Sequence, residues 1–193
     1  MQIIKLQLDD LRYSGLHPVE DSLVATDSAF CIADGITRDP NVKEDWSGLD
    51  IKTALKSYPK PSPAKIAADL FTKTFLEKTL TRKNIKAAFI EGNRKINNLN
   101  KVKNPAPDYL VNDYWACVAC GGYINYNKLY YGNIGDCGIT VIDDKGKKIF
   151  ITKNSVKVFD NYFYNISPIK NFDWNKPEYR VLVRKKFRNN INQ

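Results

Sequence analysis

The residues of this chain best suited to chemistry are carboxylates. Glu20 and Asp21 are adjacent, Asp34-Gly35 closes a short apolar run, and Gly135-Asp136 follows a later one. In an extended segment neighbouring side chains alternate sides, so at most one of Glu20 and Asp21 faces a given site. A carboxylate at the end of an apolar strand is costly to bury alone and calls for a cation or backbone amides. Gly35 lets the chain turn sharply and could present its carbonyl oxygen to the same cation. Asp, Glu, a main-chain carbonyl and waters form the donor kit of hard cations such as Mg²⁺ or Mn²⁺. The rival reading is an ordinary Asp-Gly turn beside an exposed acid pair. For Asp136 the alternatives are a structural turn and an accessory metal ligand.

Other reactive residues point nowhere definite. Cys117 and Cys120 have Cys-x-x-Cys spacing inside an apolar run, where i and i+3 face opposite sides of a strand. With no second pair and one distant histidine, zinc is a poor match, and all four cysteines read as small buried apolar residues. His17 lies three residues before Glu20, within reach of a phosphate, but a histidine before Pro18 also suits a surface loop.

The elements that must position these groups can be read from periodicity. Ile3–Leu8 alternates as an opening strand, and 28–33 is a buried strand running into a turn at Asp34-Gly35. Residues 36–61 read as an irregular connection. Ser62-Pro63 then caps and starts a helix with Ile66, Ala67, Leu70, Phe71, Thr74 and Phe75 on one face. Thr81 would cap a second helix burying Ile85, Ala88, Phe89, Gly92 and Ile96, with 97–108 as a loop. Runs at 115–123, 129–134, 139–142 and 148–152, joined by turns at 125–128 and 143–146, predict an antiparallel meander. Pro177 would open a last helix. Strands, two helices and a meander mean α+β rather than alternating α/β.

These segments together resemble the metal-dependent protein phosphatase 2C family. Glu20-Asp21-Ser22, Phe30-Cys31-Ile32-Ala33-Asp34-Gly35 and Leu129 through Gly135-Asp136 follow the family's order over roughly residues 10–155. The resemblance implies an α-β-β-α sandwich of two antiparallel sheets flanked by helices, with a dinuclear Mn²⁺ or Mg²⁺ centre. It implies that Asp34 bridges the metals, that Gly35 gives its carbonyl, that Glu20 ligates directly or through water, and that Asp21 orients waters behind them. The implied activity is hydrolysis of phosphoserine or phosphothreonine esters by a metal-bound water, with a phosphorylated protein as substrate. The chain departs from the pattern at Leu16, where the family has a phosphate-binding arginine, and at Cys137-Gly138, where it has Ser-Arg. The family's distal metal aspartates have no counterpart after Asp173. The sequence therefore reads as the N-terminal two-thirds of one such domain, its C-terminal part missing, or as an inactive relative serving as a binding module.

Composition narrows the classes. In 193 residues, 43% hydrophobic and 12% aromatic, there is material for a sizeable core and no apolar run long enough to span a membrane. The start of the chain has no signal-peptide pattern, and four cysteines do not staple a small secreted fold, so a cytoplasmic setting is expected. The net charge of +9 invites a nucleic-acid partner. Its distribution argues against one: residues 1–50 hold four Lys/Arg against ten Asp/Glu, and residues 51–104 hold thirteen against three. The basic stretches read as solvated helix faces, or as a surface that holds an acidic partner. An exposed sheet edge or the basic helix at 176–188 could support a dimer.

Overall fold

The computed structural model describes residues 19–36, 58–106 and 114–157. The strand expected at Ile3–Leu8, His17 and the basic helix at 176–188 lie outside those residues, as does most of the connection at 36–61.

The described elements are β1 (Ser22–Ala25), β2 (Ala29–Gly35), α1 (Pro63–Arg82), α2 (Ile85–Lys103), β3 (Cys117–Asn125), β4 (Lys128–Ile134), β5 (Thr140–Ile142) and β6 (Lys148–Ile151). The α+β class is as expected. One antiparallel sheet has the order β1-β2-β3-β4, and β5-β6 forms a separate hairpin. Between β2 and β3 the chain leaves the sheet, forms both helices on one of its faces, and returns alongside β2.

The register fixes which residues face the helices. Ser22 pairs with Ala33, Ala33 with Ala119, and Ala119 with Ile134. Small residues line this face: Ala29, Cys31, Ala33, Ala119 and Gly121 are all buried. The helices can therefore press close, and Phe71, Phe75 and Phe89 fill the space between layers. Phe89 meets both other rings edge-on, with centroids 5.4 and 5.3 Å away. The opposite face carries Leu23, Phe30, Ile32, Val118, Ile124 and Tyr131, and Tyr131 packs on Phe150 of the β5-β6 hairpin.

Helix α1 starts as the sequence predicts. Ser62 is its N-cap, its hydroxyl accepting from the Lys65 amide at 3.1 Å, and Pro63 takes the first helical position. Of its expected face, Ala67, Phe71, Thr74 and Phe75 are buried, while Ile66 and Leu70 are half-buried. The second helix begins later than expected. Asn84, rather than Thr81, is the cap, because α1 runs on to Arg82 and stops where Lys83 turns left-handed.

Helix α2 also continues through residues 97–103, which the pair Asn97-Asn98 had marked as loop. Its buried period carries on from Ile96 to Asn100, and Asn100 supplies the reason. Its amide donates to the carbonyls of Ile96 and Trp115, at 3.2 and 2.7 Å, while its oxygen accepts the Trp115 N–H at 3.0 Å. That clamp satisfies the amide inside the fold and aligns the start of β3. The turn between β3 and β4 has Tyr126 and Asn127 both at positive φ, the combination whose twist matches a two-residue hairpin.

Candidate functional site

At Asp34-Gly35 the structure differs from the sequence reading: the pair is not a turn but the last two residues of β2, opposite Val118 and Cys117. The pairing runs on to an Ile36 N–H bond to the Ala116 carbonyl at 2.9 Å. Gly35 is needed for another reason. A Cβ there would lie 2.5 Å from the carbonyl oxygen of Ala64, in the first turn of α1. The missing side chain lets the helix N-terminus sit against the end of the strand.

Alternation along β2 then sends Asp34 to the face opposite the helices, beside Ile32 and Phe30. The Gly135-Asp136 tip comes over the same end. Gly135 has φ +79°, and a Cβ on it would collide with Val118, the partner of Asp34. Its carbonyl is held by the Ser155 hydroxyl at 2.7 Å. The fold there brings Asp136 and Cys137 close enough to Asp34 that their charges act on one another.

Asp34 stays solvent-accessible, yet its carboxyl is pushed up to about 6. Partial burial is the largest cause. The negative charge of Asp21 and a hydrogen bond to its side chain come next, then the charges of Asp136 and Glu20. The nearby thiols are held protonated. Burial, and then neighbouring charge including that of Asp34, pushes Cys117 and Cys137 up to about 12.

Glu20 and Asp21 divide as alternation demands. Asp21 is the neighbour whose charge bears most on Asp34. Glu20 is buried on the helix side, where its carboxylate accepts from the hydroxyls of Tyr58, at 3.2 Å, and Ser62. Ser62 thus relays a negative charge to the N-terminus of α1, where the helix dipole favours it. Tyr58 and Ser62 are the residues that sequence reasoning missed here. The capping signal identified Ser62 but gave no sign that its hydroxyl also donates to Glu20.

The carboxylate set is right for a hard cation in kind: oxygen donors that, among the described residues, meet no positive partner in their own cluster. Among the described residues, no group of three or more His, Cys, Asp or Glu is arranged as a cage for a metal ion. The Asp34–Asp21 pair fits the looser mode in which one or two carboxylates hold a largely hydrated Mg²⁺ and substrate phosphate completes its shell. No helix among the described residues is long and apolar enough to cross a membrane. No protein-family model matches the chain, and no curated protein or solved structure matches it.

Proposed function

We propose that the end of the sheet at Asp34 is the site of a divalent-cation-dependent hydrolase of phosphoserine or phosphothreonine esters, of the phosphatase 2C type. The reading extends to the fold: the helix-covered sheet and the β5-β6 hairpin would be one half and the beginning of the other in an α-β-β-α sandwich. The observation that carries it is the convergence of Asp34 at the end of β2, Asp21 just before β1 and the Gly135-Asp136 tip over Val118, where partial burial and these neighbouring carboxylates push the Asp34 carboxyl up to about 6. Among the described residues these acids meet no cation, an arrangement that a bound cation relieves, and active sites are where such crowding recurs.

Asp34 and Asp21 would hold Mn²⁺ or Mg²⁺, with the Gly35 carbonyl and Asp136 at hand on either side. When bound, the cation supplies an acidified water and offsets charge building on the phosphoryl oxygens. The chain's own part is to present the carboxylates side by side, Asp34 from the end of β2 and Asp21 from the residue before β1. The Gly135 tip shields one side of the pair. Glu20 would act indirectly, locking the first turn of α1 against Gly35. A phosphoester hydrolysed by water needs no Ser or Cys nucleophile, which suits a site whose thiols stay protonated.

The test is hydrolysis of p-nitrophenyl phosphate with and without Mn²⁺. Turnover that needs Mn²⁺ and falls to background in Asp34→Asn supports the reading, and turnover unaffected by that substitution refutes it. The engagement of Glu20 with Tyr58 and Ser62 favours a second reading, a catalytically silent module that keeps the scaffold. It predicts no turnover in the same assay with the fold intact.

A further inference from the structure

The described helical layer is far more basic than the strands that carry the acids. Residues 58–106 hold eleven Lys/Arg and three Asp/Glu, whereas residues 19–36 hold Glu20, Asp21, Asp27 and Asp34 with no Lys or Arg. The three helical acids are already engaged: Asp69 with Lys65, Glu91 with Arg94 at 2.7 Å, and Glu77 with Lys95 at 3.9 Å.

What distinguishes the two helices is one row of exposed residues on each. On α1 the outward row is mixed: Asp69, Lys73, Glu77 and Leu80. On α2 a row along one flank is Lys86, Ile90, Asn93, Asn97 and Lys101, every one exposed and none acidic, with the Glu91–Arg94 pair on the outward side beyond it. The spacings i, i+4, i+7, i+11 and i+15 put all five on one narrow face, about 22 Å long at the usual helical rise. Ile90 is 58% exposed at its centre line, and Val102, 76% exposed, lies beside its far end. The core does not need this face, because its residues are exposed while Ala88, Phe89, Gly92, Ile96 and Asn100 supply the buried side of the helix.

We propose that this face of α2 docks an acidic, amphipathic segment of a partner protein. Lys86 and Lys101 would pair with carboxylates near the two ends of the segment, Ile90 would receive an apolar side chain, and the Asn93 and Asn97 amides would serve as donors and acceptors between them. The exposed Ile90 separates this partner from a phosphate backbone. An aliphatic side chain gains by being covered with apolar surface and gains nothing from phosphates. The aromatic rings of the two helices are committed to the core, which leaves no stacking platform for bases on this layer. The proposal is independent of whether Asp34 supports catalysis.

The experiment is fluorescence anisotropy of the full chain with two probes at 50 and 200 mM NaCl. One is a fluorescein-labelled 16-residue peptide of Glu with Leu at helical spacing, and the other a 16-base-pair DNA duplex. The peptide is expected to bind more tightly than the duplex and to weaken about tenfold in Lys86→Glu/Lys101→Glu, the scale of one or two lost charge contacts. Ile90→Ser, whose fold is checked by circular dichroism, is expected to weaken it about threefold, in keeping with one exposed apolar contact. Tighter binding of the duplex, with Ile90→Ser indistinguishable from wild type, would overturn the proposal in favour of a phosphate backbone. Binding of neither probe, or peptide binding untouched by the lysine reversals, would overturn it outright.

Discussion

At Asp34 the surroundings, more than the residue type, create the chemistry. A carboxylate on a strand is unexceptional until two others and a buried glutamate are brought up to it with no cation among the described residues of the cluster. The consequence can be measured without any substrate. The folded state holds the Asp34 proton more tightly than the unfolded chain, whose carboxyl ionises at about 3.9. The stabilisation is therefore full below that value and is lost as pH rises through about 6. Urea unfolding at steps between pH 4 and 7 is expected to show this decline in the wild type and a weaker one in Asp34→Asn. An equal decline in both proteins would mean that another group carries it. In Asp21→Asn the asparagine amide can donate to Asp34, so a ¹³C titration should find the Asp34 carboxyl ionising at lower pH than in the wild type. Removing Glu20 acts differently. Glu20→Ala strips the acceptor from two buried hydroxyls, and a loss of about 2 kcal/mol in unfolding free energy is expected.

Elements were legible where one rule governed them, and were misread where tertiary contacts overrode a local signal. The Ser62 cap, the Phe71/Phe75 face and the β3-β4 and β5-β6 hairpins follow from spacing and composition alone, whereas the expected continuous meander is broken because β4 does not pair with β5. Asp34-Gly35 has the composition of a turn, yet pairs to the end of β2 because the helix needs the missing Cβ, and no local pattern records a helix arriving from thirty residues away. Asn97-Asn98 failed for a related reason, since Asn100 keeps α2 going by bonding to Trp115. The short strand β1 carried no clear alternation and is defined by its pairing with β2. The candidate site was legible as a set of residues, but the division between Glu20 and Asp21 needed the register.

Two substitutions test this scale. Gly35→Ala forces a methyl group into the Ala64 backbone and should cost about 2 kcal/mol by denaturant unfolding, the order of an overpacked core. An unchanged midpoint would show that the helix can retreat freely. Thr74 buries a hydroxyl that finds no hydrogen-bond partner among the described residues. Thr74→Val keeps the branched shape and removes the polar group, so a gain of about 1 kcal/mol is expected.

Across the whole molecule, charge and layer coincide. The sheet's small-residue face accepts the helices, which carry the lysines outward. The opposite face carries the acids at its Asp34 end and apolar residues elsewhere. The site and the basic face of α2 therefore lie on different sides of the sheet, and each can be disabled while the other stays intact. Activity could still be lost for many reasons, so cation binding bears most directly on the central claim. Isothermal titration calorimetry of Mn²⁺ into the protein at pH 7.5, above the Asp34 ionisation, should give saturable heat that vanishes in folded Asp34→Asn. The same heat in both proteins would contradict the account.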